Sequence, residues 1–243
     1  MRMYRIVIVA LILAALTSFV VPMSVQAKGS EMAPRDVEGV TCNLPESDAE
    51  ALVILSNYYP KRYYWDHTDL TIAVQAHPST TDQQMDALRG AIDEWNQVLL
   101  QCFDGLITLT DVTEESRNEQ KADIVVHFVP HAGGGVFAGY AICGVGGCPN
   151  ILVRSENPPA WGSATYDPQL VEWIAMHEIG HALGLGHATN LLESTDLMGY
   201  GWPALGDPVL SQCDVDALAF IFSWAIEGTE PAPPGAGTYV CSQ

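Results

Sequence analysis

The sequence predicts one α/β or α+β domain built on a mixed sheet, and three observations lead there. A strand followed by a long amphipathic helix comes first, a group of short strands fills the middle, and two helices come last. Strands and helices that fall largely into blocks pack as layers around one core. The chain carries no internal repeat.

Leu70 to Gln75 (LTIAVQ) alternates apolar and polar residues as a strand does. Thr81 to Leu100 then changes to helical spacing, with Met85, Leu88, Ile92, Trp95 and Leu99 at three- and four-residue steps. Thr81 and Gln84 fit a capping box at its start. Ile107 to Val112 and Asp123 to Val129 read as strands. Gly133 to Gly135 marks a flexible loop, and Val136 to Ile142 and Asn150 to Val153 read as two more strands. Asp167-Pro168 supplies an N-cap and a first helical position. The helix it opens runs through Trp173 and Met176 into HEIGHALGLGH, residues 177 to 187. A turn-rich stretch from Thr189 to Pro208 precedes a last helix from Ser211, with Val215, Leu218, Ala219 and Phe222 on its apolar face.

Both ends of the chain read differently. Arg2 and Arg5 precede a 16-residue apolar or small-residue run, Ile6 to Val21, and Val25-Gln26-Ala27 offers a cleavage point. This is the layout of a secretory signal peptide over residues 1–27, and it predicts export. An uncleaved anchor is the alternative, although a spanning helix needs about 20 apolar residues. Cleavage leaves a mature chain from Lys28 with no membrane span. Residues 28–63 read as an extended or partly helical lead-in, residues 64–226 as the domain proper, and residues 227–243 as an irregular Pro/Gly-rich tail.

The formal net charge of -19 becomes -21 once Arg2 and Arg5 leave with the leader. Such a surface repels phosphate backbones, and no basic patch offsets it, which argues against a nucleic-acid partner. Six cysteines, Cys42, Cys102, Cys143, Cys148, Cys213 and Cys241, lie beyond the leader. An even count in an exported chain favours three disulfides, with fifteen possible connectivities. Cys143 and Cys148 enclose only Gly-Val-Gly-Gly, so a local bridge between them is expected. Zinc ligation is the rival use, but no second pair at metal-site spacing supports it.

The chemistry concentrates in HEIGHALGLGH. On a helix, His177 and His181 stand one turn apart on one face, so both rings can meet one ion. Glu178 lies beside the first of them. Gly184 can end the helix in a left-handed conformation, after which the chain reverses and His187 supplies a third ligand. Three protein ligands leave a fourth zinc position for water, as in catalytic sites. Zinc brings that water's pKa toward about 7, and Glu178 is the candidate general base that takes its proton. Ordinary helix-surface histidines would leave the glutamate, the glycine and the third histidine as coincidences.

HExxHxxGxxH is the metzincin pattern. Asp196-Leu197-Met198-Gly199-Tyr200 looks like the Met-turn of that group, with Met198 as the apolar floor beneath the metal. YWDHTDLTIAVQ (64–75), ADIVVHFV (122–129), AGYAIC (138–143) and LSQCDVDALAFIF (210–222) look like the first strand, third strand, edge strand and last helix of the matrixins. The chain therefore resembles the matrixin branch over about residues 64 to 224. The resemblance implies a zinc endopeptidase with a mixed five-stranded sheet, an antiparallel edge strand and three helices. It also implies an extended protein or peptide substrate along the edge strand, about Val136 to Ile142, with Ala138, Gly139, Tyr140 and Ala141 as contacts. The loop Gly199 to Asp207, with Tyr200, Trp202 and Leu205, would shape the specificity pocket.

The sequence departs from animal matrixins in several places. The segment between Val129 and Val136 is short and lacks the His/Asp set for a structural zinc and calcium. One catalytic zinc is therefore expected, and calcium is left open. Ala188 follows the third histidine where animal members have serine, and the path to Met198 is longer, which implies a microbial type. No full-length propeptide domain fits between residues 28 and 64. Cys42-Asn43-Leu44-Pro45-Glu46 faintly resembles the cysteine switch, but the arginine and glycine of that motif are missing, and a structural disulfide is favoured. His67, His77, His127 and His131 receive no role. Two other functions compete with a general secreted endopeptidase. One is a silent zinc-bearing binding or adhesion module, which would have no need of Glu178. The other is a peptidase dedicated to a single partner.

Overall fold

The computed structural model describes residues 42, 44–55, 64–114, 122–130, 138–144, 147–156, 165–200, 205–234 and 237–241, the side chains of 144, 147 and 148 excepted. The predicted leader, the Gly133–Gly135 loop, His131 and Trp202 lie outside them. No helix among the described residues is long and apolar enough to cross a membrane.

Among the described residues, eight strands and four helices follow one another along the chain. They are β1 (Ala51–Ile54), β2 (Asp69–Gln75), α1 (Asp82–Phe103), β3 (Thr108–Asp111), β4 (Ile124–Val129), β5 (Gly139–Gly144), β6 (Gly147–Arg154), α2 (Pro168–Leu183), β7 (Leu185–Ala188), α3 (Gln212–Ile221), α4 (Ser223–Ile226) and β8 (Thr238–Val240).

The main sheet has the order β3-β2-β4-β6-β5. Its first four strands run parallel, and β5 runs antiparallel to β6 at the edge, with Tyr140 opposite Leu152. The predicted mixed five-stranded sheet is thus present. Within the described residues the edge strand runs from Gly139 with Ala138 just before it, and Val136 and Phe137 of the predicted strand lie outside them. β4 alternates as its sequence does, burying Ile124, Val126 and Phe128.

The long helix α1 starts where its capping box places it. Thr81 accepts from the Gln84 amide, and the Gln84 side chain accepts from the Thr81 amide. Its stripe of Leu88, Ile92, Trp95 and Leu99 is fully buried, against α2 and β3. Gln84 is itself buried, and its amide donates to the Ser155 and Tyr166 carbonyls. The helix therefore holds the segment leading into α2.

Both ends of the domain are more ordered than their sequences suggest. β1, from the lead-in, pairs antiparallel with β7 and with β8, from the Pro/Gly-rich tail, in a second sheet of order β7-β1-β8. Gly186 permits the close β1–β7 approach, since a methyl group there would sit 2.6 Å from the Val53 carbonyl oxygen. Two disulfides tie these ends to helices, Cys42–Cys102 at the end of α1 and Cys213–Cys241 at the start of α3. Cys143 is also disulfide-bonded, while the side chain of its expected partner Cys148 is outside the described set.

Candidate metal centre

Helix α2 is buried on all sides from Ile174 to Leu183, an environment normally reserved for apolar helices. The Asp167 carboxylate caps its start by accepting from the Gln169 amide, and Pro168 opens the first turn. Two tryptophans pin its flanks, Trp95 donating to the Met176 carbonyl at 3.0 Å and Trp65 to the Ala182 carbonyl at 2.8 Å. Gly184, at φ 112°, ends the helix in the left-handed region as the motif predicts. The chain then enters β7, which carries His187 back toward the helix.

His177, His181 and His187 form one cluster, with a nitrogen from each within 4.8 Å of the others. His177 Nδ1 donates to the Leu197 carbonyl and His181 Nδ1 to the Leu185 carbonyl, each at 2.7 Å. These bonds fix the tautomers and leave both Nε2 lone pairs facing the cluster. His181 Nε2 and His187 Nε2 are 3.1 Å apart. Two nitrogens on a tetrahedral zinc would stand about 3.3 Å apart. His177 Nε2 is buried with no hydrogen-bond partner. A buried orphan acceptor of this kind wants a cation or donor at the centre of the cluster. The donor set therefore fits zinc.

Burial drives all three imidazoles toward the neutral form that a metal requires. It pushes the pKa of His177 down to about 3, helped by the neighbouring His187, and that of His187 down to about 4. His181 falls well below its ordinary value for the same reason, with repulsion from His177 and His187 added. Glu178 moves the other way. Burial raises its carboxyl to about 8, opposed by a hydrogen bond from the Ala141 backbone. Its Oε2 has no hydrogen-bond partner. A divalent cation beside it would favour the carboxylate.

Two glycines let other elements close on this helix. A methyl group on Gly139 would sit 2.7 Å from Glu178 Cγ and 2.7 Å from Ile174 Cγ2, and closer still to Glu178 Oε1. The edge strand therefore lies directly against the candidate base. A methyl group on Gly180 would sit 2.7 Å from Met198 Sδ. Met198 is fully buried against the helix that carries His177 and His181. Tyr200 reaches in from the same loop. Its hydroxyl is 2.7 Å from His187 Nε2, and its ring lies 5.3 Å from that of His177 and 4.7 Å from that of His187. Burial raises its pKa, with Glu178 adding to the effect.

Of the other sequence candidates, Tyr140 and Ile142 are exposed on β5, at 53% and 44%, while Ala141 is buried. Leu205 is exposed. Sequence reasoning missed Ser47 and Asp48. Both hydrogen-bond to the Met198 loop, and the only sequence signal was a polar pair just ahead of the apolar Ala51–Ile54.

Comparison with known proteins agrees with this geometry. The chain is 27% identical to interstitial collagenase from Bos taurus over 188 residues, covering 72% of this chain and 36% of that protein. It is 28% identical to the Sus scrofa collagenase over 183 residues, covering 70% of this chain and 35% of the relative. Against Homo sapiens matrix metalloproteinase-16 it is 27% identical over 139 residues, 52% of this chain and 22% of the relative. The chain thus spans about a third or less of the length of these relatives. Residues 64–219 match the matrixin family, a stretch that contains the whole five-stranded sheet, the three-histidine cluster and the Met198 loop, so the chain belongs to the matrixins.

Proposed function

We propose that this protein is a secreted zinc endopeptidase in which His177, His181 and His187 hold the metal through Nε2 and Glu178 is the general base. The observation that carries the reading is the convergence of three neutral, oriented imidazoles, one with a buried orphan nitrogen, beside a buried carboxyl. When bound, zinc supplies a Lewis acid that makes hydroxide available near neutral pH. Glu178 takes the proton of the attacking water and passes it to the leaving amine. Met198 floors the site and Tyr200 walls it beside His187.

The substrate is a protein or peptide bound extended along β5, the last strand of the main sheet among the described residues. Backbone pairing there, over Gly139, Tyr140 and Ala141 with Ala138 leading in, would set the scissile bond near Glu178. The exposed Tyr140 and Ile142 side chains would add contact. Export through a leader of residues 1–27 is supported by the disulfides, which persist in oxidising compartments. The mature chain then comprises the lead-in 28–63, the peptidase domain 64–226 and the tail 227–243.

The test is zinc content and peptide cleavage for the purified protein and for Glu178→Ala. One zinc is expected in each, with cleavage blocked by chelator in the parent and lost in the variant. Undiminished cleavage by Glu178→Ala would remove Glu178 from the mechanism, and a folded parent without zinc affinity would remove the metal site.

A further inference from the structure

The lead-in segment makes contacts that a removable prosegment has no need of. The Gln212 amide donates to the Pro45 carbonyl at 2.9 Å, and the Leu55 amide to the Gly184 carbonyl at 3.1 Å. Between these anchors, β1 pairs with β7, placing Leu52 opposite Ala188, the residue after His187. Asn190 donates to the Asp48 carbonyl and accepts from the Glu50 amide. The segment thus touches the glycine that ends α2, the strand carrying His187 and the loop that follows it.

Its tightest contact is with the approach to Met198. The Asp48 carboxylate accepts from Ser194 Oγ at 2.6 Å, Thr195 Oγ1 at 2.8 Å, and the amides of Thr195 at 2.9 Å and Asp196 at 3.1 Å. Asp196 in turn accepts from the Met198 amide at 2.9 Å, from Ser211 Oγ at 2.8 Å and from Ser47 Oγ at 2.5 Å. The residue between them, Leu197, provides the carbonyl that orients His177. A hydrogen-bonded path therefore runs from Asp48, through the Asp196–Met198 turn, to the imidazole of a candidate metal ligand. No other residue described supplies a carboxylate to the Ser194–Thr195 donors in this path.

We propose that the segment Leu44–Leu55 is a permanent brace of the metal centre, with Asp48 as its positioning residue acting on His177 through the Met198 loop. Asp48 touches neither metal nor substrate. Its carboxylate gathers the Ser194, Thr195 and Asp196 donors at one point, beside the Asp196 amide's own bond to Ser194 Oγ, and so fixes where the Leu197 carbonyl points. Groups that orient metal-binding histidines typically change metal affinity 10- to 100-fold when lost, so a brace one bond further out should act at about the lower end. Cleavage within the segment would then weaken metal binding rather than activate the enzyme.

This inference rests on the zinc reading above, and the test separates the two. The full chain is purified as the parent, as Asp48→Ala and Asp48→Asn, and as Thr81→Ala, which removes a cap at the far end of α1. Chelator competition gives the zinc dissociation constant, the visible spectrum of the cobalt-loaded protein reports ligand geometry, and the thermal midpoint reports stability. Asp48→Ala should raise the dissociation constant about tenfold and alter the cobalt spectrum, with Asp48→Asn recovering part of both. Thr81→Ala should lower the midpoint and leave both metal readouts at parent values. If Asp48→Ala changes only the midpoint, as Thr81→Ala does, the brace is overturned. If Asp48→Ala does not fold, Asp48→Asn and Thr195→Val decide the matter: dissociation constants within about twofold of the parent overturn the proposal, and raised ones support it. A parent that binds no zinc overturns the metal reading itself.

Discussion

Gly139 lies so close to Glu178 that even one methyl group on its α-carbon would overlap the glutamate side chain. The candidate base is therefore clamped between its own helix and the strand that would carry substrate. Gly139→Ala is expected to displace Glu178 or push β5 outward, with a loss of stability of about 1–3 kcal/mol. Peptide hydrolysis should fall at least about tenfold, because a general base contributes 10²–10⁴-fold only when correctly placed. Zinc content should be unchanged, since the atoms nearest the added methyl belong to Glu178 and Ile174 rather than to a histidine. Parent-like hydrolysis by Gly139→Ala would show that the clamp is slack.

Gly180 makes the equivalent allowance for Met198. Alanine there gains up to about 1 kcal/mol of helix propensity, but its methyl group meets a fully buried sulfur at 2.7 Å. Crowding of about 1–3 kcal/mol outweighs that gain, so Gly180→Ala lowers the urea midpoint. Met198→Ala alone leaves a cavity and costs about 2–5 kcal/mol. The double variant should lose less than the two single losses combined, because each change relieves the other. Strict additivity would mean the two residues do not press on one another.

The site makes the metal-free protein sensitive to pH from both directions. His177 and His187 have folded-state pKa values of about 3 and 4 against 6.5 in the unfolded chain. Their contribution is intact above pH 6.5 and is lost as pH falls toward 4, because the unfolded chain takes up protons that the folded one refuses. Glu178 has a folded-state pKa of about 8 against 4.5, so its contribution is intact below 4.5 and is lost as pH rises toward 8. Zinc favours neutral histidine and ionised glutamate together. The rise in thermal midpoint on zinc loading should therefore be larger at pH 8 than at pH 6, measured against chelator-treated protein. A difference that shrinks with rising pH would contradict the burial of these groups.

Cys42 is bonded to Cys102 across 60 residues and so offers no thiolate to a metal. Loop-closure entropy alone assigns such a bridge about 4 kcal/mol. Cys42→Ser should lower the thermal midpoint by several degrees and leave peptidase activity no higher than in the parent. Release of latent activity by this substitution would restore the cysteine-switch reading.

The legible parts of this molecule were the local ones. Thr81, Gln84 and the leucine–tryptophan stripe announce α1 because a capping box and a 3.6-residue period are satisfied within a few turns. HEIGHALGLGH is legible for the same reason, since helix pitch and one glycine determine most of its geometry. The second sheet was not. Ala51–Ile54, Leu185–Ala188 and Thr238–Val240 are three or four residues long, too short for an alternating pattern, and only pairing across the sequence makes them strands. Asp48 escaped notice likewise, because its partners lie 146 to 148 positions away. The Cys42–Cys102 and Cys213–Cys241 bridges could not be chosen from fifteen arrangements without the fold.

The strand that delivers His187 has a consequence for assembly. β7 is held by β1, which is held by β8, so the last of the three clustered histidines stands on a ladder whose rungs come from early and late in the sequence. Contacts of such long sequence separation carry a larger loop-closure cost than those within the helices. His177 and His181 can be in register as soon as α2 forms, but a third nitrogen arrives only when the far segments have met. A partly folded or newly made chain would therefore be a poor zinc binder and, under the proposed function, would gain peptidase activity only once its distant segments have met.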